Sequence, residues 1–317
     1  MSIFDQKVIK YEMKPLSSLE KVFPDETPVY RMECQMLSGL WGETVSFQVA
    51  YTGDFVMRER LDVRVVSELA EHVHVRTVEM VPVGRATNGI VDDNYLKTIS
   101  GLYPDLLKDL KDGKVIVYSR QWRSLWVDVD ITNEIPAGEY EIELQLIKEG
   151  EVVWQCRNCG YITVIGTELP KLDIMHTEWM HADCLADYYH VEVFSEEHWK
   201  LLENYFQEYV KRDCNMMLTP LFTSPLDTAI GLERTTCQLI DVEVKDGEYV
   251  FGFEKLKRWI DLCKKCGIEY FEMSHLFSQW GAKYAPKVVA TVNGKKEKIF
   301  GWHTPAVGEY TKFLESF

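Results

Sequence analysis

The sequence predicts two domains of different class: an antiparallel β-sandwich over residues 1–168, then the first βα units of a (β/α)8 barrel over residues 169–317. Three observations predict this. The N-terminal half is rich in strictly alternating apolar and polar residues, the period of a half-buried strand. The C-terminal half instead alternates short apolar runs with stretches of helical spacing. Between them, Leu172-Asp-Ile-Met-His-Thr-Glu-Trp-Met-His-Ala-Asp183 starts apolar and ends in functional side chains, as a barrel strand does where it opens into an active-site loop.

The sandwich strands are read from alternation. Thr44–Tyr51, Asp62–Val66, His72–Val78, Ser124–Asp130 and Glu139–Leu146 all show it, with Ala137-Gly138 as a turn into the last. The segment Gly101–Lys108 breaks the period and reads as a long inter-strand loop. His72 and His74 fall on one strand face, a spacing a metal could use but one that exposed polar positions explain as well.

Gly166–Pro170 reads as the joint between domains. A first barrel strand, Leu172–Thr177, follows it. Ser195 with Glu196 and Glu197 is a helix N-cap and acidic first turn, and Trp199, Leu202, Phe206 and Tyr209 form the apolar stripe of that helix. Further strands are expected at Asn215–Thr219 and Ile268–Met273, and a helix at Phe253–Cys266 capped by Gly267. Lys245-Asp-Gly-Glu248 and Asn293-Gly294 mark two hairpins, and a last helix begins near Pro305. Three βα units result, where a closed barrel needs eight and roughly 250 residues. An open strand edge is expected, and with it self-association through that edge.

Charge and composition narrow the function. The formal net charge of −15 repels phosphate backbones and argues against nucleic-acid binding. No apolar run approaches bilayer length, and the N-terminus lacks the basic and apolar regions of a signal peptide, so a cytoplasmic protein without membrane contact is expected. The cysteines are scattered rather than framed, which suits reduced thiols. Cys156-Arg-Asn-Cys159 and Cys263-Lys-Lys-Cys266 could together bind zinc, but they fall in different domains, and Cys263 lies on the stripe of Leu256, Trp259 and Ile260.

The three strand ends carry similar side chains. The first offers His176, Glu178, Trp179, His181 and Asp183; the second leads to Asp227 and Arg234; the third leads to Glu272, His275, Gln279 and Trp280. Carboxylates, amides and arginine bind hydroxyl groups, and tryptophan stacks on a sugar ring, so a carbohydrate site is expected where these ends converge. His176, Glu178, His181 and Asp183 would also suit a divalent metal, which leaves a metal-dependent hydrolase as a further reading.

The runs His176–Tyr189, Asn215–Phe222, Leu226–Thr228 and Phe271-Glu-Met-Ser-His-Leu-Phe-Ser-Gln-Trp-Gly-Ala282 resemble glycoside hydrolase family 123. Gly101–Leu107 and Gln121–Trp126 fit the same family. The resemblance implies a sandwich followed by a (β/α)8 barrel, and a retaining β-N-acetylgalactosaminidase in which the substrate's own acetamido oxygen is the nucleophile. It implies an Asp that orients the acetamido group, an adjacent Glu as general acid/base, and no cofactor. In the family that pair follows the fourth barrel strand. The sequence reaches Phe317 in the preceding helix, and Asp25-Glu26 lies in the N-terminal region, so no catalytic residue is assigned. A non-catalytic carbohydrate-binding fragment is the alternative expectation.

Overall fold

The computed structural model describes residues 10–29, 36–55, 58–87, 89, 91–92, 94–171, 173–279 and 281–317. The chain divides into two compact units, Met1–Pro170 and Lys171–Phe317.

The first unit contains β1 (Lys10–Ser17), β2 (Met36–Trp41), β3 (Thr44–Asp54), β4 (Glu59–Val66), β5 (Val73–Val83), β6 (Gly101–Asp109), β7 (Lys114–Val117), β8 (Arg123–Asp130), β9 (Gly138–Lys148) and β10 (Glu151–Glu168). They form two five-stranded sheets, ordered β1-β3-β8-β5-β6 and β2-β10-β9-β4-β7. Alternation explains the core. Phe47, Val49 and Tyr51 of β3, Leu125, Val127 and Val129 of β8, and Ile142, Leu144 and Leu146 of β9 join one buried cluster, while Glu141, Glu143 and Gln145 interleave on the other face of β9. β3 is buried on its second face as well. There Gln48 donates from Nε2 to the carbonyl of Glu20 at 2.8 Å and accepts from Ser124 Oγ at 2.9 Å, so its amide is satisfied.

Three expectations are corrected in this unit. Gly101–Lys108 is not a loop but part of β6, which pairs antiparallel with β5. It is an edge strand, so only one side must match a neighbour, and Pro104 sits beside a register shift where its missing N–H is tolerated. The pairing is not wholly antiparallel: β10 runs parallel to β2. His72 precedes β5 rather than sharing its face with His74, whose Nε2 lies 3.2 Å from Asp130. Cys156 and Cys159 are both buried, because β10 shifts register between Cys156 and Gly160 and returns Cys159 to the core, where its thiol donates to the Ile142 carbonyl at 3.2 Å.

The second unit contains α1 (Ala182–Tyr189), α2 (Glu196–Val210), β11 (Met216–Thr219), β12 (Asp241–Lys245), β13 (Glu248–Gly252), α3 (Glu254–Cys266), β14 (Tyr270–Met273), β15 (Val288–Val292), β16 (Lys295–Phe300) and α4 (Glu309–Ser316). β11 and β14 pair in parallel, Met216 against Tyr270 and Thr219 against Met273. Trp199, Leu202 and Phe206 of α2 and Trp259 and Cys263 of α3 pack with Met217 of β11 in one core. Ser195 caps α2 by accepting from the His198 N–H at 3.2 Å, and Gly267 ends α3 at φ 103°, as the sequence predicts.

The hairpins form at Asp246-Gly247 and Asn293-Gly294, with positive φ at all four residues, as a two-residue turn between twisted strands requires. They do not stand apart. The hairpin that follows β11 and the one that follows β14 join through a parallel β12–β15 pair into one sheet, ordered β13-β12-β15-β16. Ile240, Val288, Phe300, Tyr310 and Phe313 bury a second core there.

One strand is absent. Residues 173–177 form no strand, and Leu172 lies outside the described residues. The alternating pattern is present, but Ile174, on its apolar face, is 65% exposed, so little burial holds a strand in place there. The segment is tied to the start of β11 by isolated bonds instead, from the backbone at His176 and from the Asn215 side chain. Asn215 accepts from the His176 N–H and donates to the Ile174 carbonyl, both at 2.8 Å.

Candidate functional site

β11 and β14 run parallel, so both release their C-terminal residues at the same end. The Ser274 N–H donates to the Thr219 carbonyl at 2.9 Å and locks the two exits together. Three sets of contacts involve the predicted site residues. Trp179 donates its indole N–H to Glu272 Oε2 at 2.9 Å, and the His275 ring meets it edge-on at 5.8 Å. His181 Nε2 lies 2.6 Å from Asp227 Oδ2. A carboxylate only accepts, so Nε2 carries the proton. Gln279 Nε2 donates to the carbonyl of Thr228, next to Asp227, at 2.9 Å. Arg234 grips Asp183 with two bonds, Nε to Oδ2 at 2.8 Å and Nη2 to Oδ1 at 3.2 Å.

Local structure explains these positions. His181 is the extended residue before α1, and Asp183 sits in the first turn, where the helix dipole favours a carboxylate. Asp227 holds φ 55°, a left-handed conformation that short polar residues tolerate, and the chain turns there.

Exposure sorts the groups. Trp179 is 46% exposed, and Asp227, His275 and Gln279 are also exposed, so a ligand can reach them. The Asp183 and Arg234 side chains keep only 8% and 10% of their exposure and form a frame beneath. Burial pulls the Arg234 pKa down, but the hydrogen bonds and charge of Asp183 outweigh it and leave the guanidinium above its ordinary value. The Cys184 thiol lies 2.9 Å from Arg234 Nη2.

His176 and Glu178 are not in this group, contrary to the expectation that His176 and His275 share one mouth. The His176 carbonyl accepts from the N–H groups of Asn215 and Met216, at the start of β11, while His275 follows the end of β14. They therefore mark opposite ends of the parallel pair. His176 Nδ1 lies 3.1 Å from the Asp213 carbonyl, and Glu178 is exposed. Trp280 lies outside the described residues.

Two supporting residues are not visible as such in the sequence. Tyr209 belongs to the apolar stripe of α2, yet its hydroxyl accepts from the Glu178 N–H at 2.9 Å and donates to the Met216 carbonyl at 2.7 Å, which pins residues 177–178 beside β11. His198 is fully buried under α1. Its Nδ1 accepts from the Phe194 N–H at 2.9 Å, so Nε2 carries the proton and donates to the Ala182 carbonyl at 2.9 Å. No local motif announces either role.

Burial holds the His198 pKa below its ordinary value, against the Ala182 carbonyl and the Asp183 charge, which pull it up. The sign of the pH effect follows. Below roughly pH 6.5 the unfolded chain takes up a proton that the native ring refuses. This contribution to stability is full above that pH and is lost as the pH falls toward the depressed native value. The expected slope is up to about 1.4 kcal/mol per pH unit in that window. Urea midpoints between pH 7.5 and 5 should fall more steeply for the wild type than for His198→Gln; parallel curves would show that His198 titrates normally.

The sequence profile of the glycoside hydrolase 123 catalytic domain matches residues 179–317, from Trp179 onward. Among solved structures, a family 123 glycoside hydrolase from Clostridium perfringens, studied for glycolipid glycan hydrolysis, superposes with a TM-score of 0.69 at 14% identity, covering 97% of this chain and 56% of that one. At that identity the likeness speaks for the fold, and the chain spans little more than half the length of that enzyme. A beta-glucosidase from Listeria innocua aligns at 10% identity and a TM-score of 0.22 over 51% of this chain and 17% of that one, too slight a superposition to bear an argument. No curated protein matches the sequence. Mostly β and built of several sheets, the chain is similar in fold to a family 123 glycoside hydrolase, and its residues 179–317 carry the match to that family's catalytic domain.

Proposed function

We propose that the second unit holds a β-linked N-acetylhexosamine, N-acetylgalactosamine in the first instance, as the sugar-holding part of a glycoside hydrolase of the substrate-assisted, retaining type. The observation that carries this reading is the half-exposed Trp179 ring, fixed at its indole N–H by Glu272 and flanked by His275. A ring held this way offers its face to the apolar side of a sugar, and the surrounding carboxylates, amide and imidazoles can bond its hydroxyl groups. Trp179, His181, Asp227, Glu272, His275 and Gln279 are the proposed sugar contacts, and Asp183 with Arg234 positions them.

In the same reading, the two sheets of the first unit form a β-sandwich, and β11 and β14 are early parallel strands of a (β/α)8 barrel whose open edge supports self-association. The buried free thiols of Cys156, Cys159, Cys237 and Cys263 suit a reducing, cytoplasmic setting.

The gathered carboxylates are already engaged: Glu272 with Trp179, Asp227 with His181, and Asp183 with Arg234. None is adjacent to another in the chain, as the family's catalytic pair is. The expected result is therefore binding without turnover. Titration of the full chain with N-acetylgalactosamine, followed by tryptophan fluorescence, should show saturable binding that Trp179→Ala weakens at least tenfold, about 1.4 kcal/mol. Undiminished binding by Trp179→Ala would defeat the site. Release of nitrophenol from a nitrophenyl β-N-acetylgalactosaminide would show that one of these carboxylates is free to act as the acid.

A further inference from the structure

The first unit contains a cleft of about 760 Å³, lined by β3, β5, β6 and β8 of one sheet and by β4 and β7 of the other. That volume falls within the roughly 300–1,000 Å³ of small-molecule sites. Six cationic side chains line it: Arg58, Arg60, Lys108, Lys111, Lys114 and Arg123. In a chain of net charge −15 such a concentration is unexpected.

Part of that charge is neutralised locally. Arg60 pairs with Asp112 at 2.8 Å, and Lys114 pairs with Asp62. Two of the three carboxylates in the lining are engaged too, Glu59 with Lys148 at 2.8 Å and Asp109 with Arg76 at 3.7 Å. Arg58, Lys108 and Lys111 have no carboxylate partner among the described residues. Among the described residues the Arg123 side chain bonds only the neutral amide of Gln121, at 3.2 Å, lies over the Tyr118 ring at 5.1 Å, and has a buried Nε without a partner. Four uncompensated cations thus face one remaining carboxylate, Glu79, which accepts from Thr77 Oγ1 at 2.8 Å. A cleft lined by one sign of charge between low-dielectric walls focuses its field on whatever enters.

We propose that this cleft binds an acidic sugar, a short saccharide bearing a carboxylate or a sulfate ester. The anionic group fits the unpaired lysines and arginines. Glu79, Thr77 and the Tyr118 ring fit the rest of such a ligand, because a carboxylate and a hydroxyl can bond sugar hydroxyls and an aromatic ring can lie on the sugar face. Glu79 and the overall negative charge disfavour a nucleic-acid strand, whose phosphates would meet both. The choice of a sugar over another anion rests on the carbohydrate reading of the second unit.

The test is calorimetry on the full chain with three tetrasaccharides that lack acetamido groups: sulfated maltotetraose, tetragalacturonate and neutral maltotetraose. At least one charged saccharide should bind tenfold or more tightly than the neutral one, and which of them binds tells sulfate from carboxylate recognition. Added salt should weaken that binding. Lys108→Glu/Lys111→Glu, at two exposed positions, should weaken it at least tenfold, and Arg58→Gln is the second variant should the first fold poorly. Equal binding of charged and neutral saccharides, variants without effect, or equally tight binding of a short oligothymidylate would each overturn the proposal. The two sites can fail separately. Trp179→Ala should leave acidic-saccharide binding unchanged, and Lys108→Glu/Lys111→Glu should leave N-acetylgalactosamine binding unchanged.

Discussion

Asp183→Ala is expected to cost the second unit about 3–5 kcal/mol, the usual penalty for removing one partner of a buried ion pair. Both side chains are nearly out of solvent, and the bond is bidentate. Removing the carboxylate strands a guanidinium that stays charged at any accessible pH. The remaining contacts of Arg234, the Leu226 carbonyl at 3.4 Å and the Cys184 thiol, cannot replace the lost charge. Asp183→Asn should fall nearly as far, because the amide keeps the shape but not the charge. The double variant Asp183→Leu/Arg234→Met should recover much of the loss, since a buried pair exchanged for apolar groups of similar volume is often neutral. Urea denaturation of all three variants decides it: a loss under about 1 kcal/mol for Asp183→Ala would mean that water screens the pair as it does at a surface.

That pair also marks where the sequence stops being informative. Asp183 and Arg234 are 51 residues apart, and no spacing rule joins them. What the sequence does show is local. Alternation marks β3, β8 and β9 because one face of each must be buried. Ser195 announces a cap because its hydroxyl accepts a free helix N–H, and Gly267, Asp246-Gly247 and Asn293-Gly294 announce a stop and two turns because each holds a positive φ that few residues tolerate. β6 was hidden because an edge strand with a proline needs no alternation. The stretch from Leu172 misled for the opposite reason: the alternation is present, but Ile174 on its apolar face stays largely exposed.

The same reasoning separates the candidate site into legible and illegible parts. Residue chemistry was enough to nominate Trp179, His181, Asp227, Glu272, His275 and Gln279; in the structure Trp179 contacts Glu272 and His275, His181 contacts Asp227, and Gln279 contacts the Thr228 carbonyl. It was not enough to exclude His176, whose place depends on how far the segment slides along β11. That register is set by Asn215, just before β11, and by the Tyr209 hydroxyl of α2, both distant in sequence. The joining of the two hairpins through β12 and β15 is likewise a contact between distant segments with no local signature.

The second large effect is expected at Trp259, where size and polarity pull in opposite directions. The side chain is fully buried between Phe206 and Trp199, with ring centroids at 5.1 and 6.4 Å in edge-on geometry. Trp259→Ala removes one of the two indoles of this aromatic group and leaves a cavity that α2 and α3 cannot close without moving Phe206; a loss of about 3–5 kcal/mol is expected. That is a large part of the roughly 5–15 kcal/mol that keeps a domain folded. Yet the indole Nε1 is buried without a hydrogen-bond partner among the described residues, which itself costs roughly 1–3 kcal/mol. Trp259→Phe deletes that orphan donor while keeping an aromatic ring against Phe206, so it should lose well under half as much as Trp259→Ala. Both variants should still bind N-acetylgalactosamine wherever they are folded, because Trp259 lies in the core with Leu202 and Cys263 and not among the exposed residues beyond β14. Equilibrium unfolding followed by far-ultraviolet circular dichroism, which does not depend on the deleted indole, gives both losses; equal losses would show that the indole's shape, and not its unpaired N–H, governs the site.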